Sequence, residues 1–585
     1  MTYNRLLKPQ FIVLIMILLF VSACKKATKA EHTETSYSTY KNPIITADFS
    51  DPDVIRVGKD YYMTASSFNM VPGLPILHSK DLVNWKLIGH GIQQIPDAFF
   101  SYKNRSQDQL DYNVPRLGKG VFAPSIRYHD GYFWIFWGDP DAGIYQIKTK
   151  NPAGKWSKPV LVKRVSGWID PSPIWDENTG KAYLAHAHAA SRSGINGRID
   201  VWEMNWEGTG LIGDPVTVFD AKDSEKFPAD KYHSVIEGTK FIKRGEWFYI
   251  LCPAGGVEFG WQTALRSKTP KGPYEIRTIC ETGDTGINGP HQGGLVKSHT
   301  GEWWFIHFQS VGTLGRIVRL EPAHWTENDW PVIGVDKNNN GIGTPVKTYQ
   351  NPLPVVPYKL QTSDDFNGET LGLQWQWLAN PKEHWYSIKN GKLTLPALFT
   401  NDKSLEHIPH VLTQMFPAFS FSATVKMKTS DYDGIRAGLA ALGRKSFDIG
   451  VEKKQDTTKV SVRFGTRTLS SEMTTGTEFW LRLNTNGELP TPLKYRTRPT
   501  KEEMEILKKT LQDYELLDVD HYANGIILGQ FSFSTNGKDF TKLGPEFEVR
   551  SGAWIGARIG LYCLQKDISN APGLTKFDQI KFDIK

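Results

Sequence analysis

One short unit recurs five times between Val57 and Ile306, and it limits the possible folds more than any other feature of the chain. Each copy is a polar turn ending in glycine, followed by an aromatic-rich run: V-G-K-D-Y-Y-M, D-G-Y-F-W-I-F, T-G-K-A-Y-L-A, R-G-E-W-F-Y-I and T-G-E-W-W-F-I. The glycines are Gly58, Gly131, Gly180, Gly245 and Gly301, at intervals of 73, 49, 65 and 56 residues. A hairpin turn feeding a strand, repeated at such intervals, predicts an all-β ring of radial blades. In a ring of this kind, loops far apart in sequence meet on one axis. The residues just before each repeat are therefore the place to look for chemistry.

A second unit recurs in three of the blades: Ser79 to Trp85, Thr149 to Trp156 and Ser267 to Tyr274. Each reads as a strand end, a tight turn and an anchoring aromatic. Strands are expected at Tyr61–Thr64, Phe133–Trp137, Ala182–Ala185, Trp247–Leu251 and Trp303–Phe308. The expected fold is thus a five-bladed β-propeller over residues 41–349, with an insertion within Gly91–Pro115 accounting for the longest interval. A proline-rich connector spans 350–360. Residues 361–585 show period-two stretches at Phe419–Met427, Lys459–Phe464, Phe479–Leu483, Phe531–Ser534 and Ala557–Tyr562, as in a two-sheet β-sandwich. Thr500–Leu517 has helical character and reads as a surface insertion.

The first residues are a leader rather than part of the fold. Arg5 and Lys8 precede an apolar run from Phe11 to Val21, then Ser22-Ala23-Cys24 and a polar stretch to about Tyr40. This is a secretory signal over 1–23 with a tether over 24–40. The run falls short of the ~20 residues of a membrane span. Cys24 after Val-Ser-Ala resembles a bacterial lipoprotein processing site, which implies lipidation of Cys24 and export to the outer membrane, cell surface or periplasm. Cys252, Cys280 and Cys563 are the remaining cysteines; an odd, scattered set is neither a disulfide scaffold nor a clustered metal site. The formal charge of +7 is spread among mixed signs, so no basic stripe for nucleic acid exists. With 19 Trp and 22 Tyr, the chain is rich in apolar faces with polar edges, which suit sugar rings as well as cores.

Acidic groups precede the repeats in phase. Asp51 stands seven residues before Gly58, Asp170 ten before Gly180, Glu237 eight before Gly245, and His291 ten before Gly301. All four should sit near the start of an innermost strand, facing the channel; the fifth blade carries Ala123-Pro124-Ser125 there. Carboxylates crowded at one axis repel, which raises at least one pKa and keeps an acid protonated near neutrality. Glycosidic hydrolysis needs that asymmetry: a protonated acid for the leaving oxygen and an ionised base for water.

These motifs together resemble family 43 glycoside hydrolases, the β-xylosidase and α-L-arabinofuranosidase group with a C-terminal concanavalin-like β-sandwich. The matching stretches are Ser50-Asp51-Pro52-Asp53, Gly120-Val121-Phe122-Ala123-Pro124-Ser125, Ile169-Asp170-Pro171-Ser172, Ile236-Glu237-Gly238 and Leu314-Gly315-Arg316, with Gly372 to Trp377 in the second domain. The resemblance implies Asp51 as general base, Glu237 as general acid and Asp170 as the group that tunes and orients the acid. It also implies inversion, with Asp51 and Glu237 about 6.5–9.5 Å apart. Arg316 is expected beside the first-subsite sugar and Asp51, Phe68 at the subsite wall, and Trp137 and Trp261 as additional platforms. His291 matches the family's channel histidine; whether it serves the substrate, a blade hydrogen bond or a structural calcium ion stays open. The family usually writes Pro-Asp-Pro-Ser around its base, so Asp53 enters as a competitor for Asp51. The His186-x-His188 pair invites a zinc reading, but no third ligand is close in sequence.

The expected activity is exo-acting, inverting release of terminal xylose or arabinose from plant polysaccharide fragments, with no cofactor in the chemistry. Terminal galactose or arabinan side chains on the same fold form one alternative, and a non-catalytic glycan-binding lipoprotein another. The terminal sugar, the oligomeric state and the side of the membrane leave no trace in the sequence.

Overall fold

The computed structural model describes residues 38–100, 106–223, 235–258, 260–287, 289–400, 403–489, 527–566 and 573–585. The leader, Cys24 with its tether to residue 37, and the Thr500–Leu517 segment lie outside the described residues. Five four-stranded antiparallel sheets follow one another in sequence order, each a meander. Their first strands are Asp53–Val57, Phe122–His129, Trp168–Asp176, Lys240–Arg244 and His291–Lys297. The first strand of blade one neighbours those of blades two and five, and that of blade three neighbours those of blades two and four, which makes them the inner wall of a ring.

The repeated unit is the hairpin between the first and second strands of each blade. All five repeat glycines have positive φ, from 59° at Gly245 to 116° at Gly301. A Cβ built on any of them would meet nothing within 4 Å. Glycine recurs there for the backbone conformation alone, which L side chains adopt only with strain. The second unit is the turn between the third and fourth strands. Its aromatic closes on its own turn: Trp85 Nε1 donates to Leu82 O at 2.9 Å, Trp156 Nε1 to Pro152 O at 3.3 Å, and Tyr274 Oη to Pro270 O at 2.9 Å.

The second strands are apolar on both faces because each blade is packed between two others. In Tyr132–Asp139, the side chains of Phe133, Ile135 and Trp137 join a cluster with Val71, Leu74 and Ile76 of blade one. The alternate Trp134 and Phe136 join one with Ala182 and Leu184 of blade three. Trp137 is therefore a packing residue, fully buried and stacked on Tyr145 at 5.3 Å, rather than a sugar platform. The ring closes where Thr39–Lys41 pairs antiparallel with Thr348–Gln350.

The second domain is a sandwich of two eight-stranded sheets around one apolar core. It is not a free-standing module. Val311, Leu314 and Ile317 of the propeller lie in the sandwich core, and Val71 forms a β-bridge with Trp377. The proline-rich connector docks on blade one, with Leu353 buried and Val356 N–H donating to Asp81 Oδ2 at 2.8 Å.

Arg127 ties the ring near its axis. From blade two it donates to Asp53 Oδ2 of blade one at 2.6 Å, Ser172 Oγ of blade three at 2.6 Å and Phe241 O of blade four at 3.3 Å. Asp53 is 2 % exposed, so removing its cation leaves a buried charge at a cost of about 3–5 kcal/mol. Arg127→Met should lower the propeller's calorimetric Tm by on the order of 10 °C. Adding Asp53→Asn should recover much of the loss, and an unchanged Tm in the single variant would remove Arg127 from this role.

Candidate active site

The positions read from the repeats converge on one end of the channel. Asp51 and Asp170 both have positive φ, 53° and 57°, on non-glycine residues. Each departs from regular pairing: Asp51 lies two residues before its strand, and Asp170 sits in the bulge between Ile169 and Ser172. This strained backbone (about 1–3 kcal/mol each) turns a carboxylate toward the axis where an ordinary strand would alternate it away.

Asp51 is held by two donors. Arg316 Nη1 reaches Oδ1 at 2.5 Å and Ser66 Oγ reaches Oδ2 at 2.5 Å. Asp53 points elsewhere, its Oδ2 accepting from Ile126 N–H at 2.9 Å and from Arg127. The two aspartates therefore face different partners, Asp51 toward Arg316 and Ser66 and Asp53 toward Ile126 and Arg127. Asp170 Oδ2 accepts the Gly238 N–H at 2.6 Å, and Thr239 Oγ1 donates to Asp170 O. Gly238, at φ 66°, supplies a close approach: a Cβ there would lie 2.8 Å from Gln292 and Pro253.

The carboxyl groups differ in access. The Asp51 side chain is 6 % exposed and Glu237 26 %. Burial raises both Asp170 and Glu237, to about 8 and about 7. Repulsion from Glu237 adds to the first and repulsion from Asp51 to the second, while Arg316 pulls Glu237 back. Of the pair, Glu237 is the more open to solvent, while Asp170 is buried. Lys240 lies beneath, 1 % exposed, its Nζ donating to Pro124 O at 2.8 Å. Burial lowers its pKa, opposed by the fields of Asp53, Asp170 and Asp51. The cations facing the carboxyls around the axis are Arg316, Arg127 and Lys240.

Phe68 and Phe308 back the Arg316 guanidinium, at 5.9 and 4.7 Å from its Cζ. Phe68 is only 2 % exposed, and its backbone pairs with Val121. Gly120 permits this, since a Cβ there would stand 2.5 Å from Phe68 O. His291 is fully buried, 3.8 Å from Glu237 Oε1, and neither ring nitrogen has a hydrogen-bond partner among the described residues. Burial, Arg316 and His307 hold it well below the usual histidine range, hence neutral. A calcium ion prefers six to eight oxygens. Of such a set, His291 itself would supply a single nitrogen. Trp261 is half-buried against Gly255, in the loop whose Gly260 abuts His291.

The H-x-H pair does acquire a third potential ligand, the Asp200 carboxylate, from the neighbouring strand. Most of the cluster's ligand atoms are engaged: His188 Nε2 and Arg198 bind Asp200, His186 Nδ1 meets Ala187 O, and Trp202 Nε1 donates to His186 Nε2, while His188 Nδ1 has no partner among the described residues. His186 is stacked on Trp168 at 3.9 Å.

A sandwich loop covering one side of the pocket is expected from the sequence, but the residue it brings there is not. Trp554, 52 % exposed and at φ 67°, places its ring 5.6 Å from Arg316 Cζ. Its loop is pinned by Asp48, whose Oδ1 accepts the Arg316 N–H at 2.8 Å and whose Oδ2 accepts the Gly556 N–H at 2.8 Å. Gly315 and Gly556 meet backbone to backbone; a Cβ on Gly315 would lie 2.6 Å from Gly556 N. The Gly315-Arg316 dipeptide was a visible signal, but its partner lies in the other domain.

Residues 40–331 match the model of glycosyl hydrolases family 43, and 363–521 that of the beta xylosidase C-terminal concanavalin A-like domain. A putative beta-xylosidase of Xylanibacter ruminicola is 37 % identical over 527 residues, spanning 89 % of this chain and 86 % of the relative. A beta-xylosidase of Formosa agariphila is 31 % identical over 563 residues, 92 % and 89 % of the two chains. A non-reducing end alpha-L-arabinofuranosidase of Bacteroides ovatus is 31 % identical over 417 residues, 66 % and 70 %. The solved structure of a family 43 protein from the xyloglucan locus of Bacteroides ovatus superposes with a TM-score of 0.72 at 25 % identity, covering 94 % of this chain and all of that one. With a five-bladed propeller, its companion sandwich and these relatives in agreement, the chain belongs to glycosyl hydrolases family 43.

Proposed function

We propose that this glycoside hydrolase is an exo-acting, inverting β-xylosidase, with terminal arabinofuranose as its second sugar. The observation that carries the reading is the contrast between Glu237, raised and partly open, and Asp51, fixed by Arg316 and Ser66. The terminal sugar would lie between them, against Arg316 and under Trp554. Asp51 takes a proton from water as the water oxygen attacks the anomeric carbon. The glycosidic C–O bond breaks with its electrons leaving on oxygen, and Glu237 protonates that oxygen. Asp170, hydrogen-bonded through Gly238 to the acid's own loop, acts as a positioning residue. A pocket walled by the sandwich loop favours chain ends over chain interiors. Xylose is preferred because two relatives spanning most of the chain are named for it; the arabinofuranosidase relative carries the second sugar. The Ser-Ala-Cys24 leader supports export as a lipid-anchored protein, and a calcium ion takes no part in this scheme.

Glu237→Gln should cut turnover of xylobiose by about 10²–10⁴-fold, the usual worth of a general acid. It should cost far less with a dinitrophenyl xyloside, whose leaving group needs no proton; equal losses on both substrates would reject Glu237 as acid. A raised carboxyl acts while protonated, so wild-type activity should fall as pH rises through about 7, and a profile flat to pH 9 would contradict this. A panel of aryl β-xyloside, α-L-arabinofuranoside and β-galactoside should favour the xyloside. Early-time NMR should show the inverted anomer, and a retained anomer would exclude single displacement. Asp48→Asn replaces one acceptor by a donor facing an N–H, a loss of about 1–3 kcal/mol. It should raise KM several-fold more than it lowers kcat, and an unchanged KM would uncouple Asp48 from the site.

A further inference from the structure

A cleft of about 640 Å³ lies where the entry strap Ile44–Phe49, blade one, the connector and the sandwich meet. Asp51, Asp170, Glu237, Arg316 and Trp554 are not among its lining residues. Its volume falls within the ~300–1,000 Å³ of small-molecule sites. Phe49, Trp85, Tyr358, Leu360 and Met415 supply apolar surface. The polar lining comes chiefly from uncharged amides, Asn84, Gln374, Gln376 and Gln414, together with His90. Burial pushes the His90 imidazole down to about 4, so it is neutral at ordinary pH. Lys86 and Lys359 are exposed at the rim, and no Asp or Glu lines the cleft. Gln414 is 2 % exposed, and its Nε2 has no hydrogen-bond partner among the described residues; the same holds for Gln374 Oε1. An unpartnered amide donor and acceptor therefore line one cavity, at a cost that a hydrogen-bonding ligand relieves.

We infer that this cleft is a second, non-hydrolytic binding site for a neutral oligosaccharide of two or three rings. Apolar walls meet the C–H faces of sugar rings, while planar amides serve hydroxyls as both donor and acceptor. A charged ligand finds no counter-ion beyond the rim. Without a carboxylate in the lining, general acid–base hydrolysis has no agents there. Such a site would retain a glycan on the enzyme between successive cleavages. The choice of xylose as the sugar rests on the proposed function, whereas the site itself does not.

The test is calorimetric titration of xylotriose into the full-length Glu237→Gln protein, which keeps the catalytic pocket while slowing hydrolysis. Two sites per chain are expected. Leu373→Trp, which introduces bulk at a cleft residue 41 % exposed, should abolish one site. Arg316→Ala should abolish the other, and its loss alone would report on the catalytic reading. Gln414→Leu removes the amide without filling the cleft and should weaken the cleft site about tenfold while leaving Tm unchanged or higher. One site per chain, or two sites that both survive Leu373→Trp and Gln414→Leu, would overturn the inference. So would tighter cleft binding of an aldotriouronic acid than of xylotriose, which would make the ligand anionic.

Discussion

Charge balance around the ring axis is the constraint on which the rest of this structure depends. Carboxylates are costly to bury singly, and a ring of blades brings several to one place. Arg127, Lys240 and Arg316 come from blades two, four and five, so each cation answers carboxylates of other blades. Asp53 is paired with Arg127 and Asp51 with Arg316. Burial raises the Asp170 and Glu237 carboxyls that share the same axis.

The ring was legible because propeller hairpins repeat a local requirement. A glycine at positive φ recurs for a reason any single hairpin would share, and five such glycines in phase disclose the blades. The carboxylates were legible through that phase. What remained hidden depended on facing rather than spacing. Trp137 read as a platform because an aromatic run does not say which of its faces borders a pocket, and period-two alternation sends this one into the blade-one interface. Trp554 carried no signal at all, being an isolated indole in a different domain. Asp200 completes the H-x-H cluster through strand register, which sequence spacing does not fix.

The sandwich contributes more than a second core. Its strands bury propeller side chains, its Trp377 extends a propeller bridge, and its loop ends over Arg316. Asp48 joins these roles, since one carboxylate accepts both the Arg316 and the Gly556 backbone N–H. Domain docking and arginine placement therefore share a single group, and the pocket's outer wall is built only when both domains are folded. The cleft on the other side of the same strap arises from that docking as well, so one interface shapes two cavities of different chemistry.

The link from Asp48 to Gly556 spans 508 residues. A ribosome making this chain releases the propeller's last blade long before it reaches Gly556. Until then, the Asp48 carboxylate lacks one of its donors and the pocket lacks the Trp554 wall. The second Asp48 donor and the Trp554 wall are in place only after this late segment has been made and has docked on the propeller.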